Sequence, residues 1–332
     1  MTSLRPPWHA RNKPLLTVLA TFIAYVALVS VLLVGTILML ALLPGVNVAL
    51  GVAVGDPTSP LDAALALAMG AMWLPAALIG VRFGGWRPVG TLLSVAARWR
   101  REVLTSTGVW AGIGGLLVVA VAALAGALAA ASAPGASPAP EELGSGSMGA
   151  LLGVCVVVLL LAPLQVAGLE LTMRGVILQV VGTWVRAPWL PILVAAAVPL
   201  VGRFSSPSVL IATIGVAAAA AVLAWKSGGL ELPFALMLTV TIGSLLTSAF
   251  AAGTGAGAAA RVLSGGVAAP GTSATVIGAE SAPSLAGGIG GTVALLMLTV
   301  VLMIVVSRRE GLGFLEPVRR PAAIPAPELV PF

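Results

Sequence analysis

Apolar residues run through this 332-residue chain in long blocks separated by short polar or basic clusters. The blocks fall near Leu15–Leu43, Asp62–Val81, Gly108–Ala131, Met148–Thr183, Leu190–Gly202, Ser208–Trp225, Leu230–Phe250 and Ile289–Val306. Most approach the roughly 20 residues that a helix needs to cross about 30 Å of hydrocarbon, so the pattern predicts about eight membrane-spanning helices. Met148–Thr183 is long enough to project beyond the bilayer, and Leu190–Gly202 is only the length of a buried core helix. The first block is too long for a signal-peptide core and lacks a convincing cleavage site, so it is expected to stay attached.

The charges between the blocks set an orientation. Arg5, Arg11 and Lys13 precede the first block, and Arg82, Arg87, Arg98, Arg100 and Arg101 follow the second. Arg186 follows the fourth, Lys226 the sixth, and Arg308, Arg309, Arg319 and Arg320 the eighth. The alternate connections hold Asp56, then Glu141 and Glu142, with Arg203 and Arg261 as the exceptions. Positive charge collects on the cytoplasmic side, so this alternation predicts both termini in the cytoplasm and an even number of crossings. The expected location is the inner (plasma) membrane, multi-pass.

Composition agrees with that reading. Charged residues make up 8% and hydrophobic residues 59%, with a mean hydropathy of +1.11. A soluble domain carries about 25% charged residues, so the lipid bilayer is the expected surrounding. The net charge of +6 sits in short clusters at block ends, as topology signals do, and nucleic acid is not an expected partner. The single cysteine, Cys155, lies inside an apolar block and excludes a disulfide framework or a thiolate metal site. No phosphate-binding loop occurs; Gly287–Thr292 reads as a linker entering the last block. Small residues such as Gly112, Gly114, Gly115 and Ala217–Ala221 suit close helix packing. No cofactor or metal is expected.

The chain divides accordingly. Residues 1–14 form a cytoplasmic N-terminus and 15–147 the N-terminal helices, with an inner-interface helix at 91–102 built from Leu92, Leu93, Val95, Ala96 and Trp99 beside Arg98, Arg100 and Arg101. Residues 148–251 form the core, 252–288 a flexible outer loop, 289–307 the last transmembrane helix, and 308–332 a Pro-rich cytoplasmic tail.

One acid and one base lie deep in the fourth block: Glu170 and Arg174, in Pro163-Leu-Gln-Val-Ala-Gly-Leu-Glu-Leu-Thr-Met-Arg-Gly175. A charge at a helix centre costs roughly 2.5–3.5 kcal/mol on insertion scales. Positions i and i+4 share a helix face, so the two can neutralise each other inside a bundle.

This run resembles the first motif of the CPBP family, the CAAX-protease and bacteriocin-processing intramembrane proteases, which usually reads P-x-Q-x-x-x-E-E-x-x-x-R-G. Lys226-Ser-Gly-Gly-Leu-Glu-Leu-Pro-Phe-Ala-Leu-Met237 is similar to the family's T-G-G-L-E-x-A-x-x-L-H, and Phe83–Arg98 resembles the connection that precedes the first motif. The resemblance implies an all-α, CAAX-protease-like bundle in which the first Glu and the His of F-x-x-x-H activate water and the His and Asn of H-x-x-x-N complete the site. Here those positions hold Leu169 for the first Glu, Gly202 or Arg203 for the His of F-x-x-x-H, and Met237 and Thr241 for H-x-x-x-N. Glu170 and Arg174 remain, and the chain's one histidine, His9, precedes the first block. No other unperturbed side chain titrates near neutral pH, so proteolysis by the family mechanism is not expected. The expectation is a pseudoprotease that binds a hydrophobic peptide, a lipid or a membrane-protein partner. The alternatives are an atypical CAAX-type endopeptidase using Glu170 with Thr239, Thr241 or Ser244, and a permease-like or accessory subunit of a membrane complex.

Overall fold

The computed structural model describes residues 13–42, 58–84, 89–132, 147–185, 187–198, 207–253 and 282–318. These form helices and irregular connections, without a strand among the described residues. The first helix, α1, is Lys13–Ala41; α2 is Pro60–Ala71 and α3 Trp73–Gly84. Then follow α4 (Arg101–Ser132), α5 (Met148–Trp184), α6 (Trp189–Ala197), α7 (Pro207–Ser227), α8 (Glu231–Gly253) and α9 (Ala282–Glu310).

Local chemistry explains several boundaries. Ser59 caps α2 by accepting from the Asp62 amide at 3.3 Å, with Pro60 at the first turn, where its missing N–H costs nothing. The α2–α3 break falls at Met72 because Pro75 cannot donate to the carbonyl of Ala71. Ser147 caps α5 through the Ala150 amide. Inside α5, Leu171–Ile177 is wound as a π-helix, as is Leu104–Gly108 inside α4. Such segments are rare and frequent at functional sites.

Seven stretches are long and apolar enough to cross a membrane: α1, α2–α3 together, α4, α5, α7, α8 and α9. The fifth predicted crossing is different. Its described part, α6, has nine residues and rises about 13 Å, less than half the hydrocarbon thickness.

Contacts between elements show which of several helix ends lie together. The start of α1 lies beside the end of α3, where Thr17 fills the space at Gly84. The far ends of α2 and α5 meet, Pro60 against Gly153. The last turns of α5 return to the first end, where Gln179 Nε2 donates to the Thr91 carbonyl at 3.1 Å. Helix α7 starts at the opposite end, Ser208 against Gly288 of α9, and finishes at Lys226, bonded to Val318 beyond α9. The chain from Trp184 to Pro207 therefore joins opposite ends, and the described chain begins and finishes at one end. That end carries Lys13, Arg82, Arg98, Arg100, Arg101, Lys226, Arg308 and Arg309. Seven described stretches are long and apolar enough to cross, where about eight were expected, and the described part of the expected fifth crossing is the short α6.

Residues 91–102 are not the expected interfacial helix. Val89–Leu92 is a 3-10 turn, followed by an irregular strap to Arg100. Ser94 breaks the helical course: its Oγ donates to the Arg98 carbonyl at 2.6 Å and accepts from the Ala96 amide. The strap also bonds elsewhere, from Val95 N–H to the Gly228 carbonyl at 2.8 Å and from Leu230 N–H to the Leu93 carbonyl at 2.9 Å. Ala97 takes a left-handed φ of 54°, and its carbonyl closes on Gly90, where a Cβ would not fit.

The core lies between α4, α5, α7, α8 and α9, where Val118, Val166, Val216, Leu223, Leu236, Met237, Val240, Leu295 and Leu302 form one buried cluster. Most of the predicted 252–288 loop and of the tail beyond Val318 lies outside the described residues. Helix α9 begins at Ala282, seven residues before the predicted start of the last span.

Candidate functional site

Glu170 is the last residue of the regular part of α5, and Arg174 sits in the π-helical turn that follows. Gly168 allows α5 to approach this closely, since a Cβ there would lie 2.7 Å from the Leu74 amide nitrogen of α3. Thr172 locks the same turn by donating to the Trp73 carbonyl at 3.2 Å. The wide turn leaves Glu170 and Arg174 on one face, with Arg174 Nη1 3.1 Å from Glu170 Oε1. Arg174 also reaches across to α7, where Nη2 donates to the Ala217 carbonyl at 3.1 Å.

Both side chains are shut inside the bundle, 1% and 2% exposed, so neither charge draws on bulk water. Glu170 has no geometrically sound hydrogen bond on either oxygen among the described residues, and Arg174 Nε also lacks one. The pair is thus held by charge and by one backbone carbonyl. It is tolerable only because it is neutral as a unit.

Of the other positions named from the sequence, Leu169 is buried next to Glu170. Met237 and Thr241 are buried on α8, and Met237 shares the core cluster with Val166, one turn before Glu170 on α5. Met237 thus lies in the apolar core shared by α5 and α8, with a thioether where the resemblance implies imidazole. Gly202, Arg203 and His9 lie outside the described residues. Thr239 donates to its own helix at the Ala235 carbonyl, 3.1 Å away, and Ser244 likewise to Val240. No group of three or more His, Cys, Asp or Glu that could hold a metal occurs among the described residues.

A second charged centre lies at the basic end and was not read from the sequence. Glu231, fully buried at the start of α8, accepts from the Arg100 backbone N–H at 2.9 Å, from Nε at 3.0 Å and, through its other oxygen, from Nη2 at 2.9 Å. Arg100 Nη2 also donates to the Ser227 carbonyl. Gly229 leaves room for this clasp, since a Cβ there would strike both side chains. Three residues before Gly229, Lys226 is fully buried and donates from Nζ to the carbonyls of Gly313 and Glu316, 2.7 and 2.6 Å away. The signal for both was the Gly228-Gly229 pair between a base and an acid, Lys226 and Glu231.

Fold and polar centre together define a class, a multi-pass all-helical membrane protein with a charged pair inside its bundle. Comparison of the chain with family models, with curated proteins and with solved structures gives no match.

Proposed function

We propose that this protein is a non-proteolytic member of the CPBP type, lying in the plasma membrane with both termini cytoplasmic, that binds a hydrophobic peptide or transmembrane segment of a partner. The observation that carries this reading is the state of the α5–α8 centre. Glu170 is spent on Arg174, and Met237 is packed as an apolar core residue where the family's H-x-x-x-N would begin. Water activation needs a base within hydrogen-bond reach of the water, and the imidazole that would serve is absent from every predicted span. Of the alternative helpers Thr239, Thr241 and Ser244, Thr239 and Ser244 donate to carbonyls of their own helix, and Thr241 is buried. A bundle with retained interior charges and no catalytic base supports binding rather than bond cleavage.

Purification from native membranes in mild detergent tests the binding half of the proposal. A membrane protein or hydrophobic peptide is expected to copurify in fixed stoichiometry and to be retained by Glu170→Gln. Recovery of the chain alone from gently solubilised membranes contradicts it.

A further inference from the structure

Beyond α9 the chain turns at Gly311, whose φ is +63°, with the Leu312 amide donating back to the Ser307 carbonyl at 2.9 Å. Residues 312–318 then run as an irregular strap to the end of α7, with one turn closed by the Glu316 amide on the Gly313 carbonyl. What holds the strap is unusual for a tail. The Lys226 ammonium donates to the Gly313 and Glu316 carbonyls, and the Lys226 carbonyl accepts from the Val318 amide at 3.0 Å. All three bonds fall on strap main-chain atoms, which any peptide offers.

Two side chains add selectivity. The Glu316 carboxylate attracts the Lys226 ammonium, and Val318 packs against the buried cluster that includes Val306 and Leu302. Gly228 shapes the floor: at φ +65° a Cβ there would lie 3.0 Å from the Val318 carbonyl oxygen and 3.1 Å from the Val95 side chain. Lys226, Gly228 and Val95 thus border the groove that the strap occupies, with the Glu316 charge and the Val318 side chain as its two sequence-dependent features.

We propose that this groove is a peptide-binding site, filled in cis by the strap and able to exchange it for a non-helical Glu-x-Val segment in trans. The sequence repeats that pattern once, at Glu328-Leu329-Val330, so a second copy of the chain carries a ligand of matching chemistry. A cis ligand acts at an effective concentration of about millimolar, so exchange becomes visible when the strap is weakened. The proposal stands whether or not the bundle cuts peptides.

The test uses the full chain in nanodiscs and a fluorescent peptide Gly-Leu-Gly-Phe-Leu-Glu-Pro-Val-Arg-Arg, the sequence of residues 311–320. Val318→Ser, which loosens the strap but keeps Lys226, is expected to bind the peptide at least about tenfold more tightly than wild type, and adding Lys226→Met is expected to remove that gain. Equal binding by wild type and Val318→Ser, or a gain that survives Lys226→Met, overturns it. Hydrogen–deuterium exchange on the wild type gives an arm that needs no variant. Millimolar peptide is expected to speed exchange at the Val318 amide, and unchanged exchange there overturns the proposal. Mass spectrometry of the recovered peptide reports cleavage separately.

Discussion

Arg174 illustrates how much a single residue carries in a bundle with few charges. It neutralises Glu170 and ties α5 to α7 through the Ala217 carbonyl. Arg174→Leu leaves a buried carboxylate alone, a change that costs about 3–5 kcal/mol. The variant is expected to lose thermal stability in detergent, and Glu170→Gln combined with Arg174→Leu is expected to recover most of it; equal melting of all three proteins contradicts a structural pair. Arg100→Lys tests the second centre. Lysine cannot reproduce the planar fork on Glu231, and a buried acceptor left unsatisfied costs about 1–3 kcal/mol, so a lower melting temperature is expected. The two centres differ in how visible they were. Glu170 and Arg174 are four apart on one helix face, a spacing that periodicity reveals. Arg100 and Glu231 are 131 residues apart, and a base at the end of an apolar block looks like a topology signal until its partner is seen.

Among the elements, α1 is held most lightly. Only Pro14, Thr17, Thr21 and Leu40 of its 29 residues are buried. The threonine hydroxyls donate to carbonyls one turn back and sit against Gly80 and Gly84 of α3, where a Cβ would overlap them. Gly80→Val forces these helices apart at an overpacking cost of about 1–3 kcal/mol. Faster hydrogen exchange confined to α1 and α3 is the expected result, and an unchanged pattern contradicts the packing. Hydropathy located the long helices because length and apolarity are local properties. It placed an interfacial helix at 91–102 because Leu92, Leu93, Val95 and Trp99 have the right composition, yet the course of that segment is set by Ser94 and by backbone bonds to Gly228 and Leu230, more than 130 residues away. The short α6 was foreshadowed by block length alone.

At the scale of the molecule, the alternation of basic connections predicts an even number of crossings, and seven described stretches are long and apolar enough to cross. Single cysteines in a Cys155→Ser background check the parity. Glu102→Cys and Leu315→Cys are expected to react with a membrane-impermeant maleimide from one side, and Met148→Cys from the other. Labelling of positions 102 and 315 from opposite sides contradicts an even number of crossings. The Glu170–Arg174 pair was legible from its spacing, whereas the packing of Met237 into the shared core depends on side-chain geometry that no motif spacing encodes. The central claim, a bundle that binds without cutting, is tested most directly by incubating the purified wild type in nanodiscs with a prenylated CAAX peptide and with a leader peptide, with and without divalent metal. Mass spectrometry is expected to find both peptides intact. Cleavage that disappears in Glu170→Ala and persists in His9→Ala would contradict the account and identify a protease that works through its glutamate.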